Sequence, residues 1–174
     1  MSDNKTKLRE LYQEALKYKS QEDADGDLRF EVPGLGHFCI ILLEDDPEFL
    51  KIDYPYFYDN SKNKALGKTE FCIAAEEVSR KFKAAKISVQ WTEQDQTWNA
   101  SAHIEAFIAG PDKLPDLELL KEILYRNITA IESARDAFIT TIEGSSTPQE
   151  TTAPKEEAPP AIRLIKTSDQ ESSE

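Results

Sequence analysis

Between Lys5 and Ser20 apolar residues recur at Leu8, Leu11, Tyr12, Ala15 and Leu16, the i, i+3, i+4 spacing of a helix with one buried face. Leu28, Phe30 and Val32 then alternate with Arg29 and Glu31, as in a strand with one covered side, and Pro33-Gly-Leu-Gly36 supplies a reversal. His37 to Leu43 is apolar on both faces, which predicts a strand in the middle of a sheet, covered on both sides by this chain or on one side by a partner. Phe49 to Tyr54 completes a three-stranded meander and runs into the aromatic stretch Tyr54-Pro-Tyr-Phe-Tyr58.

After a polar loop, Phe71, Ala74, Ala75, Val78 and Phe82 mark a second helix with Thr69 placed as its N-cap. Ile87, Val89 and Trp91, then Trp98, Ala100, Ala102, Ile104, Ala106 and Ile108, form a hairpin about the turn Glu93 to Gln96. From Asp116 to Glu143 a helical stripe through Leu117, Leu120, Leu124, Ile131, Ala134 and Phe138 predicts a third helix of roughly 42 Å at 1.5 Å per residue. Residues 144–174 are rich in Ser, Thr, Pro and Glu and predict a disordered tail, with one apolar island from Ala161 to Lys166. The expected architecture is therefore an α+β domain over residues 1–143. It has three helices and an antiparallel five-stranded sheet, in segments of three and two, in the order α-β-β-β-α-β-β-α.

Charge narrows the partners. A formal net charge of −12 over 174 residues leaves no positive surface to gain from counterion release, so neither nucleic acid nor an anionic membrane is an expected partner. Two cysteines, Cys39 and Cys72, sit in apolar stretches and read as buried free thiols. With no apolar signal core at the N-terminus, they point to a reducing cytoplasm.

Candidate chemistry thins out on inspection. Asp23-Ala-Asp-Gly-Asp27 resembles a calcium loop, but setting Gly26 at the sixth position puts Gln21 at the first ligand and Val32 at the twelfth, so a solvated turn fits better. His37 and Cys39 share a strand face, and with His103 and Cys72 they make up the arithmetic of a zinc site or a Cys–His pair. No compact ligand spacing or orienting third group accompanies them. Neither a cofactor nor a metal is expected, and the chain reads as no enzyme. Its rival reading is an enzyme with a scattered site near His37, Cys39 and His103.

Two apolar features remain. Tyr54, Tyr56, Phe57 and Tyr58 cannot all face one core, which makes them a candidate partner contact. The third helix outlasts a small sheet, so Ile131, Phe138 and Ile142 are candidates for self-association into a homodimer.

The element order, with Asp27-Leu-Arg-Phe-Glu ahead of Phe38-Cys-Ile-Ile, Phe49-Leu-Lys-Ile-Asp-Tyr-Pro and the Trp91/Trp98 hairpin, resembles the YbjN family of proposed bacterial sensory transduction regulators. That family shares its fold with the class I type III secretion chaperones, which are small, acidic, cytoplasmic and commonly dimeric. The resemblance implies a noncatalytic role, holding or regulating a protein or peptide partner through apolar grooves on an antiparallel sheet. A scaffold that works through its tail is a further alternative.

Overall fold

Leu8, Tyr12 and Ala15, at i, i+4 and i+7, line the buried side of helix α1 (Asp3–Ala15). The chain continues through β1 (Ser20–Glu22), β2 (Leu28–Val32), β3 (Gly36–Ile41), β4 (Phe49–Asp59), α2 (Lys68–Lys81), β5 (Lys86–Thr92), β6 (Thr97–Phe107) and α3 (Leu117–Gly144). The computed structural model describes residues 3–110 and 113–144. The expected tail and its island from Ala161 to Lys166 lie outside the described residues.

The α+β class stands, but the sheet has six strands rather than five, in the order β1-β2-β3-β4-β6-β5, with every neighbouring pair antiparallel. The additional strand is β1, three polar residues at the start of the acidic loop, too short to show an alternation. The meander and the hairpin join into one sheet because β4 pairs with β6 from Phe49↔Phe107 to Asp59↔Asn99.

Register aligns the apolar positions into continuous rows. Leu28, Ile40, Ile52 and Ile104 are successive cross-strand partners, and none is more than 1% exposed. Such cross-strand neighbours are the unit of sheet stabilisation. All three helices contribute their buried residues to the core on this side, so the sheet has one covered face and one uncovered face, an arrangement common in antiparallel sheets. Of the two readings of β3, coverage of both sides by this chain is corrected: within one chain only one side is covered. Phe38 and Ile40 face the helices, whereas His37, Cys39 and Ile41 belong to the other face.

Helix α2 begins two residues earlier than expected. Its N-cap is Gly67 rather than Thr69, and the Glu70 carboxylate accepts the Gly67 N–H at 2.8 Å.

Helix α3 passes over the sheet from α1 to α2. Leu120, Leu124, Ile128, Ile131, Ala134, Phe138 and Ile142 are buried along its length. The apolar overhang expected for self-association is therefore not there: Ile131, Phe138 and Ile142 are each 0% exposed within one chain. Phe138 packs edge-on to Phe57, Tyr58 and Phe71, with ring centroids 5.5–5.9 Å away. No helix among the described residues is long and apolar enough to cross a membrane.

Candidate functional site

Side chains alternate across a strand, so burying Leu28, Ile40, Ile52 and Ile104 turns their sequence neighbours outward. Arg29, Cys39, Asp53, His103 and Lys86 form one row across five strands of the uncovered face. One step along, Ile41, Lys51 and Glu105 form the next, and the Lys51 ammonium meets Glu105 at 3.0 Å. That hydrogen bond holds Glu105 below the usual carboxylate range. The last row is Phe49 beside Phe107, packed edge to face at 5.2 Å, and Phe107 is 73% exposed. The face thus grades from charged groups at its middle to an aromatic, half-aliphatic end.

The aromatic stretch resolves into two kinds of position. Tyr54 is 5% exposed and stacks on Phe38 at 4.4 Å, and Phe57 and Tyr58 pack against the core. The register shifts between Tyr54 and Tyr58, and Tyr56 takes φ 50°, a bulge that turns its side chain outward. Tyr56 is 57% exposed and donates its N–H to Ser101 Oγ at 3.0 Å. Of the four candidate contact residues, then, Tyr54, Phe57 and Tyr58 serve the interior and Tyr56 alone faces solvent. With Lys51, Asp53, Ser88, Ser101 and His103 it rims a hollow of about 310 Å³.

His37, Cys39 and His103 do share the uncovered face without converging. Asp53 lies between Cys39 and His103, which puts the latter two about two strand spacings, roughly 9.5 Å, apart. Among the described residues no hydrogen bond joins any two of the three. Burial pushes the Cys39 thiol up to about 11, the reverse of what a nucleophile needs, although Arg29 pulls against the shift. Burial likewise raises Asp53, opposed by Lys51 and His103. The expectation that both thiols are buried holds for Cys39 and fails for Cys72, which is exposed on α2. Since α2 packs on the covered side, a Cys₂His₂ set cannot assemble.

One cluster escaped sequence reading: ligand atoms of Asp23, Asp27 and Cys39 lie within 4.8 Å of one another. Their hydrogen bonds explain the arrangement. Asp23 Oδ1 accepts the N–H groups of Asp25 and Asp27 at 3.0 Å each, its Oδ2 accepts Arg29 Nε at 2.8 Å, and Asp27 Oδ1 accepts the Leu42 N–H at 2.9 Å. Desolvation works against ionisation of Asp23, but the Arg29 and backbone donors outweigh it and lower its pKa. These carboxylates tie the loop to β3, and Arg29 already supplies the balancing cation.

No family model and no curated protein matches the chain. Among solved structures it is similar to YbjN from E. coli, put forward as a transcription regulator, with 8% identity, a TM-score of 0.56, and coverage of 80% of this chain and 92% of that one. It is also similar to an uncharacterized protein from Methanothermobacter thermautotrophicus, with 14% identity, a TM-score of 0.52, and coverage of 81% and 98%. At these identities the relationship is one of fold: the chain shares the architecture of YbjN.

Proposed function

We propose that this chain is a noncatalytic protein-binding module, of chaperone-like or regulatory type, that holds a partner polypeptide against the uncovered face of its sheet. The observation that carries the proposal is Phe107, 73% exposed beside Phe49, with the Lys51–Glu105 pair along its border. Apolar anchors bordered by charged groups are the anatomy of a polypeptide interface, where aromatic residues carry much of the binding energy. The separation of Cys39 from His103, together with the raised thiol, weighs against the rival reading of an enzyme.

The E. coli structural neighbour is put forward as a transcription regulator. A regulatory role for this chain would run through another polypeptide, because a formal charge of −12 repels the phosphate backbone. The test is affinity capture from the native cell with the full chain, with Phe107→Ser, and with Tyr125→Ser as a control exposed on α3. A polypeptide kept by Tyr125→Ser and lost by Phe107→Ser, at unchanged Tm, supports the reading. Equal recovery by both variants contradicts it.

A further inference from the structure

Two local costs meet at the hollow that Tyr56 rims. The Asp53 carboxylate there is half-buried, and among the described residues it accepts no hydrogen bond and joins no ion pair. The cations of this face are committed elsewhere: Arg29 to Asp23 at 2.8 Å, Lys51 to Glu105 at 3.0 Å, and Lys86 to the Ser79 and Phe82 carbonyls at 2.9 and 3.4 Å. Lys51 and His103 favour ionised Asp53 only through space. Taking a carboxylate partly out of water without a bonded partner opposes folding. Beside it Tyr56 holds φ 50°, a left-handed conformation that its Cβ disfavours. Chains keep such costs where they serve a site.

We propose that this hollow takes an arginine side chain of the polypeptide held against the uncovered face, an inference that rests on reading that face as a docking surface. Its lining suits a cation: an unpartnered carboxylate, the exposed ring of Tyr56 and the hydroxyls of Ser88 and Ser101. A guanidinium donates to a carboxylate through a planar fork and stacks on an aromatic ring. The net charge of −12 draws a basic segment in before contact. Register then sets the spacing. Phe49 and Asp53 lie four residues apart on β4, and Phe107 and His103 oppose them on β6, so the hollow and the Phe107 anchor are about 13 Å apart at roughly 3.3 Å per residue. Between them lies only the Lys51–Glu105 pair, whose charges cancel. An extended segment laid along these strands crosses that distance in four residues, and residues four apart on a strand point to the same side. The partner therefore carries an apolar residue and an arginine at i and i+4.

An NMR titration of the full chain with an acetylated pentapeptide amide tests the proposal, with phenylalanine first, arginine last and three threonines between, against the same peptide carrying uncharged citrulline for arginine. The expected result is saturable shifts of the Ser101 and His103 amides, with binding roughly tenfold weaker for citrulline or for Asp53→Asn, as loss of a charge-assisted pair requires. Asp53→Asn keeps the shape of the side chain, and an unchanged amide spectrum of the free variant shows that it folds. Phe107→Ser is expected to weaken both peptides alike. Equal binding of the two peptides, each still weakened by Phe107→Ser, overturns the arginine site and leaves the docking face standing. Arginine-dependent shifts that Phe107→Ser does not alter assign the hollow to a small free cation and also overturn the proposal. Absence of saturable shifts with either peptide overturns it together with the docking face.

Discussion

The Tyr54 hydroxyl donates a hydrogen bond to the Leu35 carbonyl, tying the long strand β4 to the turn between β2 and β3. Burial raises the pKa of the phenol, which keeps it a donor throughout the physiological range. Tyr54→Phe removes this bond together with the hydroxyl's interaction with Arg135, and is expected to cost about 1 kcal/mol. Gly36 borders this contact with φ +130°, a conformation that L side chains rarely adopt, while a Cβ there would meet the Tyr54 hydroxyl at an ordinary 3.4 Å. Gly36→Ala is therefore expected to cost more, about 1–3 kcal/mol from backbone strain. Urea titration of both variants checks the order. A Gly36→Ala chain as stable as wild type would show that the turn is not held as described.

Phe138 sits where α3 meets the rings of Phe57, Tyr58 and Phe71, at 0% exposure. Phe138→Ala is expected to lose about 3–5 kcal/mol, the cost of an emptied aromatic site in a core. Were Phe138 an intermolecular contact instead, the same substitution would change the sedimentation coefficient and leave the monomer's stability nearly unchanged.

Asp53 gives a pH dependence of unusual sign for a carboxylate. Burial raises its folded pKa, so ionised Asp53 opposes folding, and stability rises as pH falls through that pKa toward the unfolded value. Asp53→Asn is accordingly expected to raise Tm at pH 7, with the gain shrinking on acidification as the native carboxyl becomes protonated. A Tm difference independent of pH between 3.5 and 7 contradicts the assignment.

The two thiols should differ in reactivity. Cys72 is exposed on α2, whereas Cys39 is buried with its pKa pushed up to about 11. At pH 7 the Cys39 thiolate amounts to roughly one part in 10⁴. A colorimetric thiol titration is expected to show one reactive group in the native chain and a second only in denaturant. Rapid modification of Cys39 at neutral pH would revive the enzyme reading.

Much of the fold was legible because burial is one-sided. Leu28, Phe30 and Val32, or Trp98, Ala100, Ala102 and Ile104, declare a strand and its covered side at once. Register is a different kind of information. Nothing local says that Cys39 lies opposite Asp53 or that Asp53 lies opposite His103, so the row across the uncovered face emerged only with strand order. Cys72 misled through its apolar neighbours Phe71 and Ile73, since at about 100° per residue a helix that buries Phe71 turns Cys72 and Ile73 away. The aromatic stretch was opaque because its solution is a bulge at Tyr56, and a bulge changes which residues share a face. Phe107 alternates outward from Ala106 in the sequence, but only the empty space above the sheet makes it notable.

Whether a polypeptide docks on that sheet face is tested most directly by placing a photo-crosslinking amino acid at position 107, and at position 125 on α3 as a control, in the full chain within its native cell. The expected result is a covalent adduct with another polypeptide from position 107 and none from position 125. Adducts from position 125 alone, or from neither site under conditions that leave the chain folded, would contradict the account.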